Sequence, residues 1–221
     1  MSKMSKRLSC ALAFLAALLL AVPAGAAPPY RAYAEGLVGG LKGAKLRPDL
    51  EAYLDALAAS ARRKEGRPPL VSSKLLKTAA RAQAIEMLKG NFVGHSSAGG
   101  YSFKARFAAF GDPEVNGGYG ENAARDRQPG DIDKAKAQRL FGQWLDSSAH
   151  RRNLMNRNYG LVSTGAVAVG NHLYAVQIFW EKCAPEVPAP ADGSCEKRSA
   201  EGQQPQIGGM GIMTFGVDSI Q

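Results

Sequence analysis

Residues 161–169 and 173–180 are two runs rich in β-branched and aromatic side chains, and only Gly170-Asn171 and His172 separate them. A connection that short and turn-forming joins antiparallel neighbours, because parallel strands need a crossover of a dozen or more residues. The pair predicts a β-hairpin, and the rest of the chain has to be fitted around it.

Upstream, the apolar spacing turns helical. Leu50, Tyr53, Leu54, Leu57 and Ala61 mark one face of a helix over residues 49–63, with Pro48 ahead of it and Gly66 behind. After an extended connection at residues 67–70, Ser72 or Ser73 is a candidate N-cap for a second helix reaching about Lys89. Leu76, Ala80, Gln83, Met87 and Leu88 line its inner side, and Gly90 stops it. Phe103, Phe107 and Phe110 set a short third helix over residues 102–110, its aromatics read as core rather than ligand platform. A glycine-rich stretch, residues 111–120, leads to Glu121. Asp131 then caps a fourth helix to about Ser147, burying Ala137, Phe141, Trp144 and Leu145. Residues 27–47 read as a linker. Residues 182–221, dominated by Pro, Gly, Gln and small side chains, read as a tail with one short strand expected at 212–217.

The N-terminus reads as an address. Lys3, Lys6 and Arg7 precede an apolar run over residues 8–22 that ends in Pro23-Ala24-Gly25-Ala26-Ala27. That order is a secretory signal peptide, residues 1–26, cleaved after Ala26 or Ala27. The run falls short of the roughly 20 apolar residues of a spanning helix, so no transmembrane segment is expected in the mature chain. An uncleaved anchor is the competing reading. Export, to the periplasm or beyond, follows from the signal.

Cleavage removes three basic and no acidic side chains, lowering the formal net charge from +9 to +6. A basic exported chain meets anionic cell-wall polymers, lipid headgroups or acidic proteins. No basic helix, zinc-finger spacing or aromatic stacking motif points to nucleic acid. The mature chain keeps two cysteines, Cys183 and Cys195, and an oxidising compartment favours a disulfide between them. About 195 mature residues suffice for one buried core.

Three histidines are present. His95 follows the second helix in Phe92-Val93-Gly94-His95-Ser96, His150 ends the block from Trp144 to His150, and His172 opens the second hairpin strand. Glu121 sits in Gly118-Tyr119-Gly120-Glu121-Asn122-Ala123, where Gly120 permits a close backbone approach. Taken in order, His95-Ser96, Gly120-Glu121-Asn122, Trp144 through His150-Arg151-Arg152-Asn153-Leu154, and Tyr174-Ala175-Val176-Gln177-Ile178-Phe179 resemble the CAP superfamily. The resemblance is to the bacterial branch of the cysteine-rich secretory protein, antigen 5 and pathogenesis-related 1 proteins, also called SCP domains. It covers about residues 48–181.

The resemblance implies an α+β fold, an α-β-α sandwich with a small antiparallel sheet between helices. It also implies a cleft of histidine and acidic side chains that in some members holds a divalent metal. His95, Glu121 and His150 match its cleft positions. Two residues depart from the eukaryotic pattern, Ser147 standing where a second acidic residue is found and Tyr174 where a histidine is found. If Tyr174 points into the cleft, period-two alternation sends His172 to the same face as a candidate fourth polar group, the alternative being a solvent-facing turn residue. Asn122 and Trp144 belong to the same motif blocks. Arg151 and Asn153 are expected to organise the loop behind the fourth helix, Leu154 to anchor it, and Gln177 to satisfy buried backbone groups.

Two imidazoles and a carboxylate make three ligands for zinc, leaving a fourth position for water. The same groups without metal form a hydrogen-bonded cluster in which the carboxylate orients an imidazole. Ser147-x-x-His150 lacks the Gly-x-Ser-x-Gly elbow of a serine hydrolase. Two functional classes follow. One is a non-catalytic extracellular binding module for a small ligand, a lipid or a cell-envelope component. The other is a metal-assisted hydrolase of peptide or cell-wall material, with His95 and His150 as ligands and Glu121 as ligand or general base. Adhesion through the basic chain and its tail is a third reading.

Overall fold

The hairpin forms as its sequence demands: β4 (Tyr159–Val169) and β5 (His172–Glu181) run antiparallel, with Val169 facing His172 across the turn. Gly170 takes the left-handed backbone, φ 53°, that such a turn requires at its first central residue. The computed structural model describes residues 29–110 and 118–181. The expected signal peptide, the expected Cys183–Cys195 disulfide and the strand expected at 212–217 lie outside them.

Three further strands complete the sheet. β3 (Tyr119–Asp126) pairs antiparallel with the free side of β5, Tyr119 opposite Trp180 and Asp126 opposite Leu173. β1 (Lys45–Leu46) pairs antiparallel and β2 (Val71–Ser72) parallel with β4. The order is β1-β4-β5-β3, with β2 also on β4.

Side chains alternate across β5, and the alternation sorts the molecule into layers. Tyr174, Val176, Ile178 and Trp180 share one apolar core with α1 (Tyr30–Gly39), α3 (Lys77–Gly90) and α4 (Phe103–Ala108). Leu173, Ala175 and Phe179 share the other with α2 (Pro48–Lys64), α5 (Lys134–Asp146) and α6 (Ser148–Met155). The result is the expected α-β-α sandwich. Gly165 on β4 brings one layer unusually close, because a β-carbon there would overlap the backbone of Ala80 and Arg81, with Arg81 Cα at 2.6 Å. A helix rich in alanine can lie that near a sheet.

One buried cation ties the opposite layer together. The Arg62 guanidinium donates to the carbonyls of Pro68, Leu154, Asn156 and Tyr159 at 2.6 to 3.0 Å. Burial pushes its pKa down to about 10. These bonds fix the end of α6, the helix that carries His150.

Several local expectations are corrected. The segment read as a linker carries α1 and β1, and Tyr30 and Ala34 are buried in the core. Its apolar residues 30, 33, 34, 37, 38 and 41 do follow a helical period; Gly36, Gly39 and Gly40 lower its intrinsic propensity, and packing overrides them. Ser72 and Ser73 do not cap α3, which starts at Lys77; Ser72 lies in β2 and its hydroxyl donates to Asp55 at 2.6 Å. The cap of α5 is Asp133 rather than Asp131, its side chain accepting from Lys136 N at 2.9 Å. Arg151 and Asn153 lie in helix α6, not in a loop.

Candidate functional site

Three elements converge at one end of β3. Glu121 stands on that strand, His95 on the loop after α3, and His150 on α6. The loop is held from below: Gln83 Nε2 donates to Gly94 O at 2.8 Å and Ser96 O at 3.2 Å, and Ser97 Oγ donates to Glu86 at 2.7 Å. The hydroxyl of Tyr33, from α1, donates to the same Glu86 oxygen at 2.6 Å. The helix hidden in the supposed linker thus braces the loop that presents His95.

His150 is set by the strand. Asn122 Nδ2 donates to the His150 carbonyl at 3.1 Å, and Asn153 Nδ2 reaches Glu121 O at 3.1 Å and Asn122 Oδ1 at 3.0 Å. A side chain at Gly120 would meet Asn153 Oδ1 at 2.8 Å, which is why that position is bare. Asn122 and Asn153 therefore clamp α6 to β3. Arg151 points outward to Glu65 at 2.7 Å, while Leu154 anchors the helix in the core as expected.

At the centre, His95 Nδ1 lies 2.9 Å from Glu121 Oε1, and the two imidazole rings are 6.5 Å apart between centroids. Arg106, from α4, grips both Glu121 oxygens at 2.9 Å and donates to His95 O at 2.7 Å. Burial alone pushes the Glu121 carboxyl up, but the Arg106 charge, helped by the His95 contact, holds it below the usual range. His150 is pushed down by burial first and by the neighbouring His95 second, and its buried Nδ1 has no partner among the described residues. The exposed member of the group is His95, whose side chain is 51% accessible against 1% for Glu121.

The other sequence candidates lie elsewhere. Tyr174 is buried in the α3-side core, opposite Arg125 on β3, and its hydroxyl meets Asn91 Oδ1 at 3.2 Å. That register is four residues from Glu121, roughly 13 Å at strand rise, so Tyr174 does not line the cleft. His172 lies farther still, beside the turn. Gln177 is fully buried, and among the described residues neither end of its amide finds a partner, contrary to the role expected of it. Ser147 joins α5 to α6 and forms no hydrogen bond with His150. Ser147, Trp144 and His150 instead line a groove of about 380 Å³ with Val93, Ala123, Ala124, Arg125 and Gln143.

The model of the cysteine-rich secretory protein family, CAP, matches residues 56–180, more than half of the chain. This chain belongs to that family. Among solved structures, the CAP domain is similar to an outer surface protein from Borrelia burgdorferi, at 18% identity and TM-score 0.51, covering 62% of this chain and 97% of that one. An extracellular SCP-domain protein from Bacillus anthracis str. Ames aligns at 24% identity and TM-score 0.48, over 62% and 45% of the two chains. A cysteine-rich secretory protein from Staphylococcus aureus subsp. aureus Mu50 aligns at 18% and 0.45, over 62% and 40%. The chain thus spans less than half of these last two. No curated protein matches it.

A resident divalent metal does not fit this CAP site. Both oxygens of Glu121 are committed to Arg106, so an ion between His95, His150 and Glu121 would sit against a buried positive charge. Among the described residues no three His, Cys, Asp or Glu side chains form a metal-holding group. Arg106 is the residue that sequence reasoning missed. The signal was present, because 103, 106, 107 and 110 follow one helical stripe and put a cation among three phenylalanines.

Proposed function

We propose that this CAP-domain protein is an exported, non-catalytic binding module whose ligand seats between His95 and His150. The observation that carries the reading is the Arg106–Glu121 pair: a carboxylate held by two charge-assisted hydrogen bonds is a poor base and a poor metal ligand. It serves instead to orient His95, whose side chain is half exposed. The N-terminal signal sequence supports export, and so does the description of the Borrelia relative as an outer surface protein.

The test is a titration of mature protein with soluble peptidoglycan fragments, anionic lipid vesicles and short peptides, followed by the ring resonances of His95 and His150. A saturable shift of those signals, with every probe recovered intact by mass spectrometry, supports a binding module. Turnover of any probe that is lost in both His95→Ala and His150→Ala overturns it in favour of a hydrolase. Stoichiometric zinc in the purified protein, lost with either histidine, overturns the metal-free site.

A further inference from the structure

Among the described residues β3 is an open edge of the sheet, paired with β5 on one side only. Along an antiparallel strand, residues whose N–H and C=O face the partner alternate with residues whose groups face away. Asn153 Nδ2 donates to Glu121 O at 3.1 Å, and Gln143 Nε2 donates to Arg125 O at 3.0 Å. Glu121 and Arg125 therefore face away from β5, and so does Ala123 between them. Side chains from α5 and α6 cap the strand on either side of Ala123, and among the described residues none caps Ala123 itself.

The groove lies over this spot. Ala123, Ala124 and Arg125 form its floor, Val93 one lip, and Gln143, Trp144, Ser147 and His150 the other. Its volume of about 380 Å³ is in the range of sites for small ligands, too little for a long strand. Val93, 44% exposed, offers apolar contact at the lip. Charge marks one end: Arg125 and Arg127 turn toward Asn91, and neither pairs with a carboxylate among the described residues. His150 stands among the lining residues, and the His95 ring lies 6.5 Å beyond it between centroids.

We propose that the groove binds a short extended peptide by strand addition. Its central residue makes two main-chain hydrogen bonds to Ala123, and an acidic side chain two residues away meets Arg125. Residues two apart on paired strands share a face, which places the acidic side chain over Arg125 and the opposite flank over His95. The inference rests on the cleft being a binding site and names its ligand class.

The probe is the blocked peptide acetyl-Glu-Thr-Val-Thr-Glu-amide, which pairs antiparallel to β3 so that its valine exchanges both bonds with Ala123 and its first glutamate faces Arg125. Binding to the mature protein is measured by calorimetry at low salt and by the amide shift of Ala123. N-methylation of the central valine, which removes one donor and leaves the protein untouched, is expected to weaken binding about tenfold. Replacement of both glutamates by lysine, or Arg125→Ala in the protein, is expected to weaken it by a similar factor. Equal affinity of the methylated and parent peptides overturns strand addition, and equal affinity of the lysine peptide overturns the acidic preference. Should the peptide fail to bind while peptidoglycan fragments or vesicles shift the His95 and His150 rings, the peptide inference falls and the binding module stands. If no probe shifts them, both fall.

Discussion

Arg106 and Glu121 meet side by side, Nη1 on Oε2 and Nη2 on Oε1 at 2.9 Å each, with almost no solvent on either side chain. The pair joins α4 to β3, and its energetics govern how the site responds to mutation and acid. Burial works against the guanidinium's charge, yet Glu121 and neighbouring groups keep its pKa above the ordinary value. Each ion is tolerable in the interior because the other is there.

Removing one partner strands the other. Arg106→Met is expected to destabilise the fold by about 3–5 kcal/mol, and Glu121→Leu by a similar amount. The double substitution recovers most of that loss, because two apolar groups leave no buried charge. Urea unfolding of the three variants against wild type measures both statements; additive losses in the double variant would contradict them.

Acid acts through the same pair. Glu121 is ionised in the fold at a pH where the unfolded chain has begun to protonate, since its folded pKa lies below the ordinary 4.5. Its stabilisation is therefore complete above about pH 4.5 and disappears as pH falls through the lowered value. The Arg106→Met, Glu121→Leu variant lacks this component. Its stability, followed by urea midpoint from pH 6 to pH 3, is expected to fall less steeply than that of wild type.

His150 gives the opposite charge and a higher window. Its pKa lies below 6.5, chiefly through burial and secondarily through His95. The neutral ring is thus the folded form, and stability declines as pH drops below 6.5 through the lowered value, where only the unfolded chain takes up the proton. Titration of the ring carbon-bound protons by NMR should place His150 under 6.5. In His95→Ala the midpoint rises only partway, because burial remains.

Gly165→Ala tests the contact between α3 and the sheet. The added methyl has only main chain to displace, so the cost is expected at or above about 3 kcal/mol, the upper end of ordinary overpacking. Gly142→Ala, in α5 with open space around its β-carbon position, is the control and should be neutral or slightly stabilising. Thermal unfolding of both variants decides it.

What the sequence disclosed depended on how local the signal was. The hairpin was legible because turn and strand chemistry sit within twenty neighbouring residues. His95, Glu121 and His150 were legible as ordered motifs, and the structure brings those three together. β3 was not legible: Tyr119-Gly120-Glu121-Asn122-Ala123-Ala124-Arg125-Asp126 has no apolar alternation, and it is a strand because β5 offers it a ladder. Tyr174 was misplaced for a related reason. Strand periodicity fixes which face a side chain takes, whereas its distance from Glu121 depends on the register with β3, which only pairing determines.

The order of strands also sets a timetable. β3 carries Glu121 and pairs only with β5, whose final residue is the last one described in the sheet. In a chain synthesised from its N-terminus, α1 to α4 and even β3 emerge with no ladder available to Glu121. The floor of the cleft cannot close until roughly 55 more residues have followed, a long-range contact of the kind that slows folding. A nascent chain therefore holds His95 and Glu121 but no assembled pocket. The cleft exists only once β5 has been made and has paired with β3.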